Sequence, residues 1–506
     1  MPISFNRIPA NWRIPLYWVE VDPSKAGLPI NQAKALLVGV QLTGPTLSHA
    51  LVNVPLAIAS QAQADYAFGQ GSQLASMFKA YFANNWAGSV YGLPLVEGSA
   101  AAVGTITVAT APTAAGTYHL YIAGTHVGVN VGATDTVTQV ASAISAAITA
   151  NKDLLVSSSP AVGVVTVTSK AKGTYGNDIK LSDNYYGSVG GETMPTGMTV
   201  TYVQPVGGAG VPTMTTAISN TGEIEYEHVC LPFTDSTSLL AWETEYGFSD
   251  TGRWGFIRQH YGHIYSAMRD SYANLLVFGM TRNCPQLSVM GVELLAPSPV
   301  WVWAAAYTAK AARALLNDPA RPLQSLHLEG VVPAQGQSRF LLSELNNLSL
   351  SGIATQRTFT DNVPVIARET TTYTLNLYGN PDDAYEVVTT LATLARLLRN
   401  QRQAITSKFP RHKLADDGTR FGAGQAIVTP KIVKAELVAQ YRIDEFNGLV
   451  ENALAFKNNL IVERDPNDVN RLNVLYPPDL INQLRVFAVL AQFRLQFDRG
   501  VDLAIL

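Results

Sequence analysis

The sequence is poor in charged residues. Only 14% of its 506 residues are Asp, Glu, Lys or Arg, whereas a typical soluble domain contains about 25%. The formal net charge of −3 offers no electrostatic attraction for nucleic acid or for an anionic membrane. Ser, Thr, Asn, Gln and Ala must therefore cover much of the surface, which is either crowded by neighbouring copies of the protein or simply weakly charged.

Cysteines, export signals and long apolar runs are also scarce. The only two cysteines, Cys230 and Cys284, give no disulfide framework and favour a reducing compartment. The first residues contain no basic segment followed by an apolar one, so they do not form a secretory signal. No apolar run approaches the roughly 20 residues of a membrane helix. We expect a soluble protein that is made in the cytoplasm and has no membrane partner.

Common catalytic signatures are missing as well, including the Walker A, G-x-S-x-G and C-x-x-C motifs. The best catalytic candidate is His228 with Cys230, which would share one face of a strand. A thiolate and an imidazole can act as nucleophile and base, but no third orienting group is visible. We favour two core residues and expect no catalytic residue, cofactor or metal. An α/β hydrolase using this pair is the alternative.

The composition of the chain changes in its first half. No arginine occurs between Arg13 and Arg253, and residues 98–211 are dominated by Gly, Ala, Thr and Val. Short β-branched runs between glycine turns predict a small, mostly β domain. One helix is predicted near Val137–Ala150, where Val140, Ile144 and Ile148 recur every fourth residue. We interpret residues 98–211 as an outer domain inserted into a core.

The flanking segments, residues 23–97 and 212–483, predict that core. Their alternating strands and helices are typical of a mostly parallel sheet with helices on both faces, so the predicted fold class is α/β. An alanine-rich helix after Pro299 should stop at Asn317-Asp318-Pro319, followed by a strand over residues 323–328. Later in the chain we predict a hairpin around Asn346-Asn347, a strand over residues 370–377, and a helix that begins at Asn380-Pro381.

Two groups of charged residues favour contacts over chemistry. Glu223, Glu225 and Glu227 alternate along one predicted strand, which indicates a face that meets solvent or a partner. The main basic cluster comprises Arg396, Arg399, Arg402, Lys408, Arg411, His412 and Lys413. It lacks interleaved aromatic residues, so we prefer a protein neighbour to nucleic acid as its partner. A solvated helix face remains the simpler interpretation.

The two ends of the chain are predicted to be arms. Residues 1–22 contain Pro2, Pro9 and Pro15, which oppose a helix, and their strand positions are Leu16, Trp18 and Val21. Residues 484–506 begin with an apolar run that is longer than the usual strand of about 5–6 residues. An arm of this kind either completes its own fold or reaches another molecule. The self-assembly candidates in the second arm are Val486, Val489, Ala491, Phe493 and Leu495.

Several short blocks, in this order and spacing, resemble the contractile tail sheath proteins of Mu-like bacteriophages and related prophages. The blocks are Met1-Pro2-Ile3-Ser4-Phe5, Phe68-Gly69-Gln70-Gly71-Ser72, Leu231-Pro232-Phe233-Thr234-Asp235, Arg282-Asn283-Cys284-Pro285, Asp318-Pro319-Ala320-Arg321-Pro322-Leu323-Gln324, and Pro477-Pro478-Asp479-Leu480-Ile481-Asn482-Gln483-Leu484-Arg485. They span both ends of the chain, and residues 98–211 are the least diagnostic part.

This resemblance implies a structural subunit that stacks as hexameric rings around a tail tube. It implies that both arms add strands to neighbouring subunits, and that the sheath contracts from a metastable extended state without a nucleotide. The implied partners are other sheath subunits, the tail tube protein, and the baseplate and tail terminator proteins. The implied location is the virion tail, after assembly in the host cytoplasm. The hydrolase and a non-contractile surface protein built on the β domain remain the alternatives.

Overall fold

The computed structural model describes residues 33–44, 47–493 and 495. The first part of the core contains β1 (Lys34–Val40), β2 (Leu56–Ile58), α1 (Gln61–Phe68), α2 (Gln73–Asn84) and β3 (Ser89–Leu95). A glycine turn separates the two helices, with Gly69 at a φ of 89° and Gly71 at 80°, where a side chain would be strained. The Phe68–Ser72 block is therefore a turn between the two helices.

Residues 98–211 form two antiparallel sheets and one longer helix. The elements are β4 (Val103–Thr110), β5 (Gly116–Ile122), β6 (Thr125–Val131), α3 (Val137–Ala150), β7 (Val156–Pro160), β8 (Val164–Ser169), β9 (Leu181–Asp183) and β10 (Thr199–Val206). The sheet orders are β10-β4-β8-β7 and β6-β5-β9. Thr136 and Gln139 form a capping box at the start of α3, and Val140, Ile144 and Ile148 are buried as their spacing predicts.

The second part of the core completes a six-stranded sheet. Its elements are α4 (Thr215–Ser219), β11 (His228–Cys230), α5 (Ser236–Tyr246), β12 (His263–Asp270), α6 (Tyr272–Met280), β13 (Leu287–Glu293) and α7 (Val300–Asn317). The strand order is β13-β12-β11-β1-β3-β2. All neighbouring pairs are parallel except β2 with β3. The prediction of a mixed α/β fold is confirmed.

Apolar side chains cover both faces of this sheet. Ala35 and Leu37 of β1 belong to a cluster that includes α2 and α7, while Leu36 and Val38 face a second cluster that includes α5. Alternate residues of a strand point to opposite faces, so β1 must be apolar at nearly every position. Asp235 begins α5 by accepting a hydrogen bond from the backbone N–H of Ser238, 2.9 Å away.

Helix α7 lies at the centre of the molecule. It ends at Asn317, as predicted from the proline that follows. Trp301, Trp303 and Tyr307 are all 0% exposed, and the Trp301 indole donates a hydrogen bond to Ser76 Oγ at 2.9 Å. The cluster around α7 also contains buried residues of the 98–211 segment, so this segment packs continuously with the core.

The remaining elements lie in the C-terminal half. They are α8 (Leu342–Leu350), β14 (Thr355–Thr358), β15 (Pro364–Arg368), α9 (Val388–Lys408), β16 (Lys413–Leu414), β17 (Ile427–Val428), α10 (Pro430–Phe446), α11 (Ala453–Asn459), β18 (Ile461–Arg464) and β19 (Leu472–Leu475). In the part of the chain that the structure describes, no helix is both long and apolar enough to cross a bilayer.

Three local predictions are wrong. Residues 323–328 do not form a strand, because Ser325 adopts a φ of 67° and interrupts the extended run. The predicted hairpin around Asn346 is helix α8, which starts where Glu344 accepts a hydrogen bond from the Leu341 N–H at 2.8 Å. Residues 370–377 form only isolated bridges, at Thr370 and Leu375.

The predicted helix start at Asn380 is also wrong. Helix α9 begins eight residues later, at Val388. Asn380 instead belongs to a turn in which its backbone N–H donates to Asn376 Oδ1 at 3.1 Å. Asp382 accepts a hydrogen bond from the Tyr373 hydroxyl at 2.7 Å. The same capping residue types serve turns as well as helix starts, which explains the error.

Candidate assembly site at the C-terminal end

The end of the chain is fixed to the core as far as residue 485. Leu480 forms an antiparallel bridge with Val450, and the Ile481 N–H donates to the Leu449 carbonyl at 3.2 Å. Gln483 donates to the Ala320 carbonyl. These contacts hold the Pro477–Arg485 segment against the loop after α10 and the loop after α7.

Among the described residues of this segment, Arg485 is the last strong attachment point to the core. Its guanidinium lies 2.5 Å from Glu369 Oε1 and 3.0 Å from Oε2. Glu369 is 0% exposed and the Arg485 side chain only 12% exposed. Paired hydrogen bonds of this kind between ionised groups are among the strongest in proteins. We call this pair the anchor.

Beyond the anchor, the described residues carry large apolar side chains that are exposed. Residues 486–493 and 495, the apolar tail, have no helix or strand. Their large apolar side chains are exposed to 77% at Val486, 82% at Phe487, 70% at Val489, 86% at Leu490, 85% at Phe493 and 96% at Leu495. Removing apolar surface from water is worth about 25 cal/mol per Å². An exposed run of this length indicates a site of protein association.

The candidate residues predicted from sequence fall into two groups. Val486, Val489, Ala491, Phe493 and Leu495 all lie in the apolar tail and are exposed. Leu16, Trp18 and Val21 lie outside the described residues. A role of either group in assembly stays a prediction.

Sequence reasoning missed part of this site. Phe487 and Leu490 are as exposed as the predicted residues, and the apolar composition of the run was a sufficient signal for both. The sequence shows Arg485 as a charged residue between the apolar residues Leu484 and Val486. Its partner Glu369 lies 116 residues away along the chain, and no local pattern connects the two.

A second exposed feature is the hairpin of β18 and β19. In the described residues its two strands pair only with each other. Ile461, Val474 and Leu475 are 49%, 40% and 59% exposed. Beside it runs an open apolar groove of about 760 Å³, lined by β19 and by α9 residues such as Leu394 and Leu398. A two-stranded hairpin is marginally stable alone, and its unpaired edges can accept a further strand.

The catalytic candidates occupy an environment that suppresses their chemistry. His228 is 5% exposed and Cys230 is 0% exposed. Burial lowers the pKa of His228 to about 3 and raises the pKa of Cys230 to about 12. Both groups are therefore neutral near pH 7, and neither a thiolate nor an imidazolium forms. The cavity beside His228 and His263 has a volume of about 40 Å³, which is enough to hold water.

The predicted charged surfaces are used largely within the subunit. Arg399 binds Glu225 Oε1 at 2.6 Å and Glu227 Oε2 at 2.9 Å. Arg396 donates to the Leu316 carbonyl at 3.1 Å. The prediction that Glu223, Glu225 and Glu227 alternate along a strand is wrong, because β11 begins only at His228. Glu225 and Glu227 instead hold α9 to the core through Arg399, and much of the predicted basic cluster is occupied.

Comparison with known proteins places the chain in a family. Residues 207–372 match the phage tail sheath protein central domain, and residues 380–494 match the phage tail sheath C-terminal domain. The Mu-like prophage FluMu tail sheath protein of Haemophilus influenzae is 39% identical over 498 residues, which cover 97% of this chain and 100% of that protein.

Two solved structures of sheath tail proteins are similar to this chain at low identity. The protein from Desulfitobacterium hafniense is 11% identical with a TM-score of 0.46, covering 93% of this chain and 100% of that one. The protein from Listeria innocua is 9% identical with a TM-score of 0.46, covering 89% and 92%.

These matches decide between the classes of function. The relatives are structural proteins rather than enzymes, so the hydrolase alternative is wrong, in agreement with the buried, neutral His228 and Cys230. Because its sequence is 39% identical to the FluMu tail sheath protein over 97% of this chain, the chain is a structural protein that belongs to the tail sheath proteins of Mu-like phages and prophages.

Proposed function

We propose that the protein is the repeating subunit of a contractile tail sheath, stacked as hexameric rings around a tail tube and assembled in the host cytoplasm. Its partners are other copies of itself, the tube protein, and the baseplate and terminator proteins at the two ends. The observation that carries the proposal is the exposed apolar tail.

The apolar tail is suited to joining a sheet of a neighbouring subunit. Ala491, Phe493 and Leu495 alternate with polar residues in the sequence, so in a strand they would share one face. An added strand is held by main-chain hydrogen bonds, while its side chains provide specificity. Burial of this apolar face against a partner would remove it from water and so stabilise the association of the two subunits.

The hairpin of β18 and β19 is the acceptor that we propose. Its edges are unpaired in the described subunit, and Ile461 and Leu475 expose apolar surface for a new neighbour. A strand donated from a second copy would turn a marginal two-stranded ladder into a stable sheet of three or more strands. The N-terminal arm, with Leu16, Trp18 and Val21, is proposed as a second donor.

The anchor suggests how subunits stay joined while the sheath contracts. Arg485 fixes the root of the tail at Glu369, and the described residues beyond it make a tether without internal secondary structure. Side-chain interfaces between cores can then change from one packing to another while the main-chain bonds of the tether persist. Contraction of such a lattice from a metastable extended state needs no nucleotide.

Electron microscopy of the purified chain tests the assembly role. The full chain should form sheath-like cylinders, whereas a chain ending at Arg485 should stay unassembled with the circular dichroism and melting temperature of a folded core. Persistent monomers of the full chain at high concentration would contradict the proposal. Normal polymerisation of the shortened chain would exclude the C-terminal tether.

Proline substitutions distinguish strand addition from simple apolar contact. Val489→Pro and Leu490→Pro each remove one main-chain donor, and neighbouring residues point their N–H groups to opposite sides of a strand. At least one of the two should block assembly, while Val489→Ala and Leu490→Ala should retain cylinders. If both proline variants assemble like their alanine controls, the tail does not pair through its backbone.

A further inference from the structure

We infer that the segment 98–211 carries a binding site for a divalent transition-metal ion of the Zn²⁺ type, formed by His119, His126 and Glu192. The three potential ligand atoms, one from each side chain, lie within 4.8 Å of one another. His119 Nδ1 is 3.0 Å from His126 Nε2 and 4.0 Å from Glu192 Oε1. None of these residues takes part in the assembly site described above.

The sheet register brings the two imidazoles together. His119 of β5 pairs with Gly128 of β6, and Tyr121 pairs with His126. His119 and His126 are therefore diagonal neighbours on the same face of the hairpin, a separation that long side chains bridge. Gly128, opposite His119, has no side chain to fill the space between the rings. The ring centroids are 5.2 Å apart.

The third ligand comes from a different segment and is held in place. The Glu192 side chain is only 9% exposed. The Tyr121 hydroxyl donates to its Oε1 at 2.5 Å, and the Tyr186 N–H donates to its Oε2 at 2.9 Å. Hydrogen bonds of this type orient the carboxylate ligands of metal sites. Within 4.0 Å, the one ion-pair partner of Glu192 in the described residues is His119, so a cation would neutralise a largely buried carboxylate.

The spacing of the ligand atoms suits a tetrahedral ion. Zn²⁺ binds His nitrogen and carboxylate oxygen at about 2.0–2.2 Å, which places tetrahedral ligand atoms roughly 3.3 Å apart. The observed 3.0 Å and 4.0 Å separations lie on either side of that distance. Imidazole ligands favour Zn²⁺ and similar ions over Mg²⁺ or Ca²⁺. His126 is exposed, which leaves the fourth position open to water.

A bound ion would brace the outer segment against the core. It would tie the β5–β6 hairpin to the loop of residues 184–192. That loop already contacts the core, because the Tyr185 hydroxyl donates to the Pro333 carbonyl at 2.8 Å and Gln335 donates to the Tyr185 carbonyl at 2.7 Å. The ion would therefore have a structural role, and its binding would raise the melting temperature of the subunit.

Calorimetric titration of the full, tag-free chain with Zn²⁺ tests the site. We expect one ion per chain, and at least about tenfold weaker binding in His126→Gln and in Glu192→Gln. Tyr121→Phe, which removes only the hydroxyl that positions Glu192, should weaken binding about 10–100-fold. His412→Gln, at an exposed histidine elsewhere, should bind like the wild type.

The same variants give an independent readout in thermal melting. Zn²⁺ should raise the melting temperature of the wild type and of His412→Gln but not that of His126→Gln, while Mg²⁺ should raise none of them. Because His126 is exposed on the hairpin surface, its replacement leaves the core packing intact. The site is refuted if the wild type shows no saturable Zn²⁺ binding, or if His126→Gln and Glu192→Gln bind Zn²⁺ like the wild type.

Discussion

Helix α7 and the apolar tail have similar side chains but opposite surroundings. Trp301, Trp303 and Tyr307 of α7 are 0% exposed, because the sheet, α2 and the 98–211 segment enclose them. Phe487 and Leu490 of the tail are 82% and 86% exposed. Hydrophobic residues that a subunit buries stabilise that subunit, whereas those it leaves exposed are available for association. Helix α7 thus stabilises the folded subunit, whereas the apolar tail, we propose, binds neighbouring subunits.

The largest effect is expected from truncating a side chain in α7. Trp301→Ala should lower the free energy of unfolding by about 3–5 kcal/mol, since it leaves a cavity and also deprives Ser76 of a hydrogen bond. Phe487→Ala in the tail is the matched control and should change it by less than about 0.5 kcal/mol. Denaturant unfolding measures both. Equal losses would remove the distinction between the two regions.

The anchor should give the next largest effect. Arg485→Ala leaves the carboxylate of Glu369 buried without its ion partner. This change should lower the free energy of unfolding by about 3 kcal/mol. The control is Arg464→Ala, because Arg464 pairs with Asp416 at 2.9 Å at a much more exposed position and should contribute less than about 1 kcal/mol. Urea titration of the unassembled variants gives the comparison. An Arg485→Ala loss no larger than the control would mean that the tail is not held at its root.

The smallest effect concerns a surface contact between the α2 region and the 98–211 segment. Lys79 and Gln70 hydrogen-bond to Asp153 at 2.8 Å each and lower the pKa of its carboxyl group. The stabilisation is therefore present above the unfolded pKa of about 3.9 and is lost as the pH falls through the folded value. Asp153→Asn should lower the free energy of unfolding by about 0.5 kcal/mol at pH 7, which is the usual contribution of a partly exposed ion pair.

Unfolding measured from pH 7 down to pH 3 tests this pH dependence. The difference between the wild type and Asp153→Asn should shrink below about pH 4. A difference that stays constant over this range would show that the charge of Asp153 contributes nothing to the contact between α2 and the 98–211 segment.

The sequence predicted what depends on local patterns. The apolar period of α3 and the proline stop after Asn317 act within a few residues, and both are found as expected. The prediction of a strand over residues 323–328 is wrong because Ser325 adopts a positive φ, which the alternation of apolar residues does not reveal. The predicted helix start at Asn380 is wrong because Asn380 hydrogen-bonds within a turn around Asn376, which the rules for capping residues do not distinguish from a helix start. Glu369 and Arg485 of the anchor are distant in the chain and meet only in the folded subunit. The sequence therefore could not identify Glu369 as the partner of Arg485.

Hydrogen exchange of the backbone amides tests the central claim most directly. The full chain is compared below and above the concentration at which it polymerises, with the amides of α7 as the internal reference. We predict that α7 is protected in both states, whereas residues 486–493 exchange rapidly in the free subunit and become strongly protected on assembly, together with β18 and β19. Equally rapid exchange of residues 486–493 in the assembled form would contradict the proposal that they join a sheet of a neighbouring subunit.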